Sequence, residues 1–116
     1  MEDKNTTIQA LKDCVEDFQK ERNWGKHHSS KNLAMSIAIE AAELMEHFQW
    51  DEYKQEEKLE IERELADVII YCLQFAVVNR IDIARAVQEK LAKNAKKYPV
   101  RLFNDKKDRD GFKTIS

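Results

Sequence analysis

Two apolar stretches of this chain, neither with a Lys or Arg inside it, each hold one carboxylate of a pair spaced one helical turn apart. From Leu33 to Ala42 the sequence reads LAMSIAIEAA, whose single charge is Glu40, and Glu43 follows one helical turn later. From Leu65 to Val78 it reads LADVIIYCLQFAVV, whose single charge is Asp67, one turn after Glu64. Runs this apolar belong in an interior, and an unpaired carboxylate taken out of water costs several kcal/mol even after relaxation. Such groups end up protonated, paired or metal-bound. Neither run contains a Lys or Arg, so the chemistry indicated is coordination of a hard divalent cation by carboxylate oxygens.

Spacing alone does not single these acids out. With 22 Asp and Glu in the chain, pairs at i, i+3 also occur at Asp13/Glu16, Glu57/Glu60 and Asp105/Asp108, but those lie among other charges, as a solvated face should. Only Glu40/Glu43 and Glu64/Asp67 border long apolar stretches. Two helices packed antiparallel bring both pairs to one locus. The bland alternative is that these acids rim the core and pair with Lys90, Lys93 or Arg85. Di-iron bundles use Glu-x-x-His on paired helices, whereas His47 lies four residues after Glu43. An all-carboxylate set suits Mg²⁺ or Mn²⁺, and Mg²⁺ is usually held by a few carboxylates together with substrate phosphates. A phosphorylated substrate is the natural expectation, with Glu43 or Glu40 as a candidate general base.

Other residues fit around such a site. Lys90, Asn94 and Lys97 fall along one helix face and can hold phosphate oxygens, or form an ordinary solvated face. Trp24 and His28 precede the first acidic helix and Trp50 follows it; these can stack on a nucleobase or simply pack. Tyr71, one turn beyond Asp67, can aim its hydroxyl at the metals or fill core space.

The elements that must position these residues are helices. Two Gly and one Pro in 116 residues leave few turn formers, so the expected class is all-α, a bundle of four to five helices. The net charge of −2 supplies no basic field for nucleic acid. The start MEDKNTTIQALKD lacks the apolar core of a signal peptide, and Asp67 and Gln74 interrupt the longest apolar run. A cytoplasmic protein without a membrane partner is expected, with Cys14 and Cys72 as reduced thiols on apolar faces. Thr6 and Gln9 suggest a capping box, and Ile8, Leu11, Val15 and Phe18 a first helix over about 6–22. Ser29 or Ser30 caps a second helix over about 31–49, with the stripe Leu33, Ile37, Leu44 and Phe48. A third covers about 55–78. Its second half is apolar nearly all round, which predicts a subunit interface along Ile69 to Val78. Asp82 caps a fourth over about 83–97, stopped by Pro99. The division expected is a domain over 1–100 and an irregular tail over 101–116.

The pattern Glu40-x-x-Glu43 followed by Glu64-x-x-Asp67 resembles the signature of the MazG-like all-α nucleoside triphosphate pyrophosphohydrolases. The resemblance extends from about Ile8 to Val100, with its most specific blocks in RNWGKHHSSKNL (22–33), EAAELMEHFQW (40–50), RELADVIIY (63–71) and KNAKKYPV (93–100). These blocks are similar to the dCTP pyrophosphatase branch. The resemblance implies Mg²⁺ ligands at Glu40, Glu43, Glu64 and Asp67, with Mn²⁺ as a substitute. It places Trp24 and Trp50 near base and sugar, and Tyr71, Lys90, Asn94 and Lys97 around the phosphates. It implies a homo-oligomer, dimer or tetramer, that cleaves a nucleoside triphosphate such as dCTP or a modified dNTP to monophosphate and pyrophosphate, cleaning the nucleotide pool. One departure stands out: the mammalian-type enzyme has a His in helix one near the base, where this chain reads DCVEDF with Cys14 and Val15. The alternative function is a non-catalytic helical oligomerisation module.

Overall fold

A computed structural model of the chain describes residues 1–24, 28–50 and 57–102. After a single 3₁₀ turn at Asp3–Asn5, these residues form α1 (Ile8–Glu21), α2 (Ser30–Glu46), α3 (Lys58–Val78) and α4 (Ile83–Lys97). A second 3₁₀ turn follows at Val100–Leu102. No strand occurs among the described residues, and none of their helices is long and apolar enough to cross a membrane. The expected helical start at about 55 and the tail beyond 102 lie outside the described residues.

The helix boundaries follow from local hydrogen bonding. Thr7, rather than Thr6, is the N-cap of α1, its hydroxyl accepting from the Ala10 amide at 3.0 Å. The capping box sits earlier, between Glu2 and Asn5 in the 3₁₀ turn, and Thr6 closes that turn as its C-cap, which leaves Thr7, the residue directly before Ile8, to cap α1. Ser29 caps α2 through the Asn32 amide at 3.1 Å, and Asp82 caps α4 through the Arg85 amide at 2.9 Å. α1 and α3 both end in a left-handed residue that lets the chain double back. Asn23 and Arg80 each have φ of 55°. The Trp24 and Ile81 amides then return to the carbonyls of Gln19 and Ala76, the six-to-one bond of a Schellman cap. Asn tolerates this geometry well; a non-glycine residue such as Arg80 is uncommon there.

The chain divides into two compact units, Met1–Ile81 and Asp82–Ser116. In the first, α3 is the central element, with α2 and α1 packed on it. α2 and α3 are antiparallel. Ser30 at the start of α2 donates to Asn79 at the end of α3 at 3.0 Å, and His47 at the far end of α2 meets Glu57 and Glu64 near the start of α3. Lys12 fastens α1 to the same end of α3 by donating to the Ile81 carbonyl at 2.6 Å. Among the described residues the buried side chains are few: Leu33, Leu73, Ala76 and the polar Gln74. The expectation that the second half of α3 is buried on every side is therefore only half met within one chain. Leu73 and Ala76 are enclosed, while Ile69 and Val78 are 45% and 49% exposed. Of the predicted α2 stripe, Leu33 is buried and Phe48 is largely exposed. The second unit contains α4 and the turn that follows it.

Candidate functional site

The antiparallel pairing of α2 and α3 brings the two carboxylate pairs together. Glu40 records this directly. Burial raises the affinity of its carboxyl for a proton above the ordinary glutamate range; a side-chain hydrogen bond with Glu43 and the charges of Glu43, Asp67 and Glu64 raise it further. Its Oε2 is sealed from solvent and accepts no hydrogen bond. All four acids singled out by sequence thus act on one locus, and among the described residues of this unit no Lys or Arg pairs with any of them. The one basic partner is a residue that sequence reasoning set aside. His47 Nε2 lies 2.6 Å from Glu64 Oε2, and Nδ1 lies 3.7 Å from Glu57. The Glu64 contact is out of line for a ring N–H bond, so that oxygen too is buried without a hydrogen-bond donor. No sequence-local pattern pairs His47 with Glu64; only the antiparallel crossing does.

As the side chains stand, no three His, Cys, Asp or Glu among the described residues are gathered tightly enough to hold an ion. The donor chemistry nevertheless fits a hard cation: carboxylate oxygens throughout, one of them orphaned and buried at Glu40, with no ammonium or guanidinium paired to them among the described residues of this unit.

Beside the acids a cavity of about 390 Å³ opens between α1 and α3, lined by Cys14, Val15, Phe18, Gln19, Trp24, Asp67, Ile70, Tyr71 and Gln74. Its volume is in the range of small-molecule sites. Asp67 belongs to both the acid cluster and the cavity wall. Trp24 is placed by the Schellman cap of α1 and by an edge-on contact with Phe18, ring centres 5.7 Å apart. Arg22 covers Phe18, its guanidinium carbon 3.7 Å from the ring centre. A smaller chamber of about 90 Å³ shares Val15, Gln19 and Gln74 with the larger one and adds His28, Glu16, Val77 and Val78.

Of the predicted substrate residues, Trp24 and Tyr71 therefore line the main cavity and His28 the side chamber. Trp50, just beyond α2, is 85% exposed and lines neither. Lys90, Asn94 and Lys97 all lie on α4 in the second unit, where the Lys97 ammonium is 5.3 Å from the Tyr98 ring centre. Cys14 and Cys72 are both free, but Cys14 is exposed on the cavity wall rather than in the core. Gln19 and Gln74, which sequence reasoning left unassigned, line both chambers. The available signal was an amide in the middle of the apolar run of α3.

Residues 35–109 match the family model described as MazG-like. The chain belongs to the MazG-like family. Among curated relatives of this MazG-like chain, dCTP pyrophosphatase 1 of Rattus norvegicus is 32% identical over 83% of the chain, and that of Homo sapiens is 31% identical over the same share. In both cases the match spans 61% of the relative's length. A solved structure of a pyrophosphatase from Archaeoglobus fulgidus superposes with a TM-score of 0.73 at 42% identity, covering 85% of this chain and 98% of that one.

Proposed function

We propose that this MazG-like protein is a Mg²⁺-dependent nucleoside triphosphate pyrophosphohydrolase, releasing pyrophosphate and a nucleoside monophosphate. The observation that carries this reading is Glu40. It is a carboxylate with a sealed, unpartnered oxygen that feels the charges of three other acids and, among the described residues of its unit, pairs with no lysine or arginine; one of those acids, Asp67, lines a cavity of about 390 Å³. The names of the curated relatives and the archaeal pyrophosphatase support the same chemistry.

In this reading Glu40, Glu43, Glu64 and Asp67 hold Mg²⁺, with Mn²⁺ able to replace it. The ion supplies neutralisation of the phosphate charge and polarisation of phosphoryl oxygens. The protein's own residues do the rest. Trp24 gives a flat face for a base. The apolar wall of Val15, Phe18 and Ile70 excludes water around it. Tyr71, beside Asp67 on α3, stands between base and phosphates. Of the acids, Glu40 with its neighbour Glu43 is the pair already disposed to share a proton, and we assign it as acceptor of the proton of the attacking water. His47 holds Glu64 in position.

Homo-oligomerisation, as a dimer or tetramer, belongs to this proposal. Met35 and Ile39 on α2 are 52% and 55% exposed, and Leu65 and Ile69 on α3 are 49% and 45% exposed. Each pair is at i, i+4 spacing, leaving apolar surface that a second copy would cover. The site is read as cytoplasmic and acting on the free nucleotide pool, with dCTP or a modified dNTP as substrate; neither nucleic acid nor membrane is a partner in it. The test is pyrophosphate release from the common dNTPs and NTPs with and without Mg²⁺. Release that vanishes with EDTA supports the proposal. No release from any triphosphate leaves the rival, a non-catalytic helical oligomer.

A further inference from the structure

Phe18 and Trp24 stand together on the wall of the main cavity, and burial alone holds neither of them there. Trp24 is 48% exposed and Phe18 46%. The cap that ends α1 fixes the backbone of Trp24, whose amide lies 3.0 Å from the Gln19 carbonyl. A backbone bond leaves both side-chain torsions of the indole unset, so a half-exposed ring needs a further contact to keep one orientation. Phe18 provides it, with ring centres 5.7 Å apart and 70° between the planes. Being half exposed, Phe18 needs support of its own.

Arg22 supplies that support. It lies four residues after Phe18, one helical turn on, where a long side chain leans back over the preceding turn. Its guanidinium carbon is 3.7 Å from the Phe18 ring centre, a distance for stacking as well as cation–π attraction. The ring is not the only thing that holds this group. Nη1 donates to the Phe18 carbonyl at 3.2 Å and to the Glu21 carboxylate at 3.4 Å. Carbonyl, carboxylate and ring together fix one planar cation, whereas Lys would offer a point charge without the plane. Arg22 is not part of the cavity lining, so any effect it has on a ligand there runs through the two rings.

We infer that Arg22 is a positioning residue: by clamping Phe18 it holds the indole of Trp24 in one orientation on the cavity wall before a ligand arrives. This inference rests on the pyrophosphohydrolase reading above, in which Trp24 offers its face to the substrate, and adds to it a residue outside the cavity. Ordering a side chain at the moment of binding costs affinity, and a ring ordered in advance avoids that cost. In that reading Trp24 meets the base and not the reacting phosphates. Loss of the clamp therefore weakens ground state and transition state alike, which raises KM and leaves kcat unchanged.

The experiment compares Arg22→Ala and Arg22→Lys with the wild-type protein in Mg²⁺, using whichever of dCTP, dTTP, dATP and dGTP releases pyrophosphate fastest. Arg22→Ala should raise KM by about 2- to 5-fold, the effect of losing one exposed cation–π contact, at unchanged kcat. Arg22→Lys, which keeps a cation but not the plane, should fall between the two, and it carries the same readings if Arg22→Ala does not fold. The second readout is the motion of the indole itself. The chain has two tryptophans, so time-resolved fluorescence anisotropy in a Trp50→Phe background common to all three proteins reports Trp24 alone. Without ligand, Arg22→Ala should show a larger amplitude of fast indole motion than its parent, a change that a purely stabilising role for Arg22 would not produce. A KM equal to that of the wild type overturns the inference, and so does indole motion that Arg22→Ala leaves unaltered. A lower Tm with neither change makes Arg22 a cap of α1 and nothing more, which overturns it as well. If the wild-type protein releases pyrophosphate from none of the four, the pyrophosphohydrolase reading itself is overturned, and this inference with it.

Discussion

Replacing Glu40 by Gln should make the metal-free protein more stable and the metal-loaded protein inactive. Glu40 sits against three carboxylates, those of Glu43, Asp67 and Glu64, with its Oε2 sealed from solvent. At ~5 Å in water each unit-charge pair repels by about 0.8 kcal/mol. Three such pairs, reduced for salt and for side-chain freedom in a partly exposed cluster, leave about 1 kcal/mol. For a chain of this length that corresponds to a rise in Tm of about 4 °C. The pH dependence has a definite sign. Glu40 holds its proton more tightly folded than unfolded, so its contribution to stability is complete below the unfolded glutamate value of 4.5 and is lost as pH rises through the raised folded value. The advantage of Glu40→Gln in EDTA should accordingly be full at pH 7.5 and vanish near pH 4. In Mg²⁺ the order should reverse, since only the wild-type protein keeps its full ligand set. Scanning calorimetry of both proteins at the two pH values, in EDTA and in Mg²⁺, reads all of this. A variant less stable than wild type in EDTA at pH 7.5 would refute the picture of four acids repelling one another.

Mg²⁺ at 100 times its Kd should stabilise the wild-type protein by about 2.7 kcal/mol, read as an upward shift in Tm; an unchanged melt would remove the metal from the site. Glu43→Gln should abolish pyrophosphate release while the far-ultraviolet circular dichroism stays that of a helical protein, and full activity in that variant would remove Glu43 from the mechanism. Leu33→Ala opens a hole at the most enclosed side chain, 1% exposed, and should cost about 2–5 kcal/mol in urea unfolding. Asp82→Ala removes the hydroxyl-free cap of α4, a carboxylate 2.9 Å from the Arg85 amide, at a cost of about 0.5–2 kcal/mol, measured the same way.

Much of the architecture was legible from local chemistry. The span of α4, 83–97, follows from the Asp82 cap and from Pro99, both of which act within a few residues. The acid pairs were separable from other i, i+3 acids because their apolar flanks predict burial, and Glu40 does feel the charges of the other three. What sequence could not supply is which residues from different helices come together. His47 is 17 positions from Glu64, and their contact depends on the rotation of α2 against α3. Trp50 is as aromatic as Trp24, but Trp24 is turned onto the cavity wall by the cap at Asn23 while Trp50 stands in solvent. Gln74 was visible only as a break in an apolar run, and nothing in the sequence linked it to Gln19 on α1.

The division has a physical basis. Helix formation, capping and termination are settled by hydrogen bonds between residues three to five apart, and these the linear chain carries in full. The cavity, the trapped Glu40 oxygen and the placing of Gln19 and Gln74 on one cavity wall depend on how side chains of separate helices interlock, a choice made by packing among distant residues and visible only once α1, α2 and α3 are assembled.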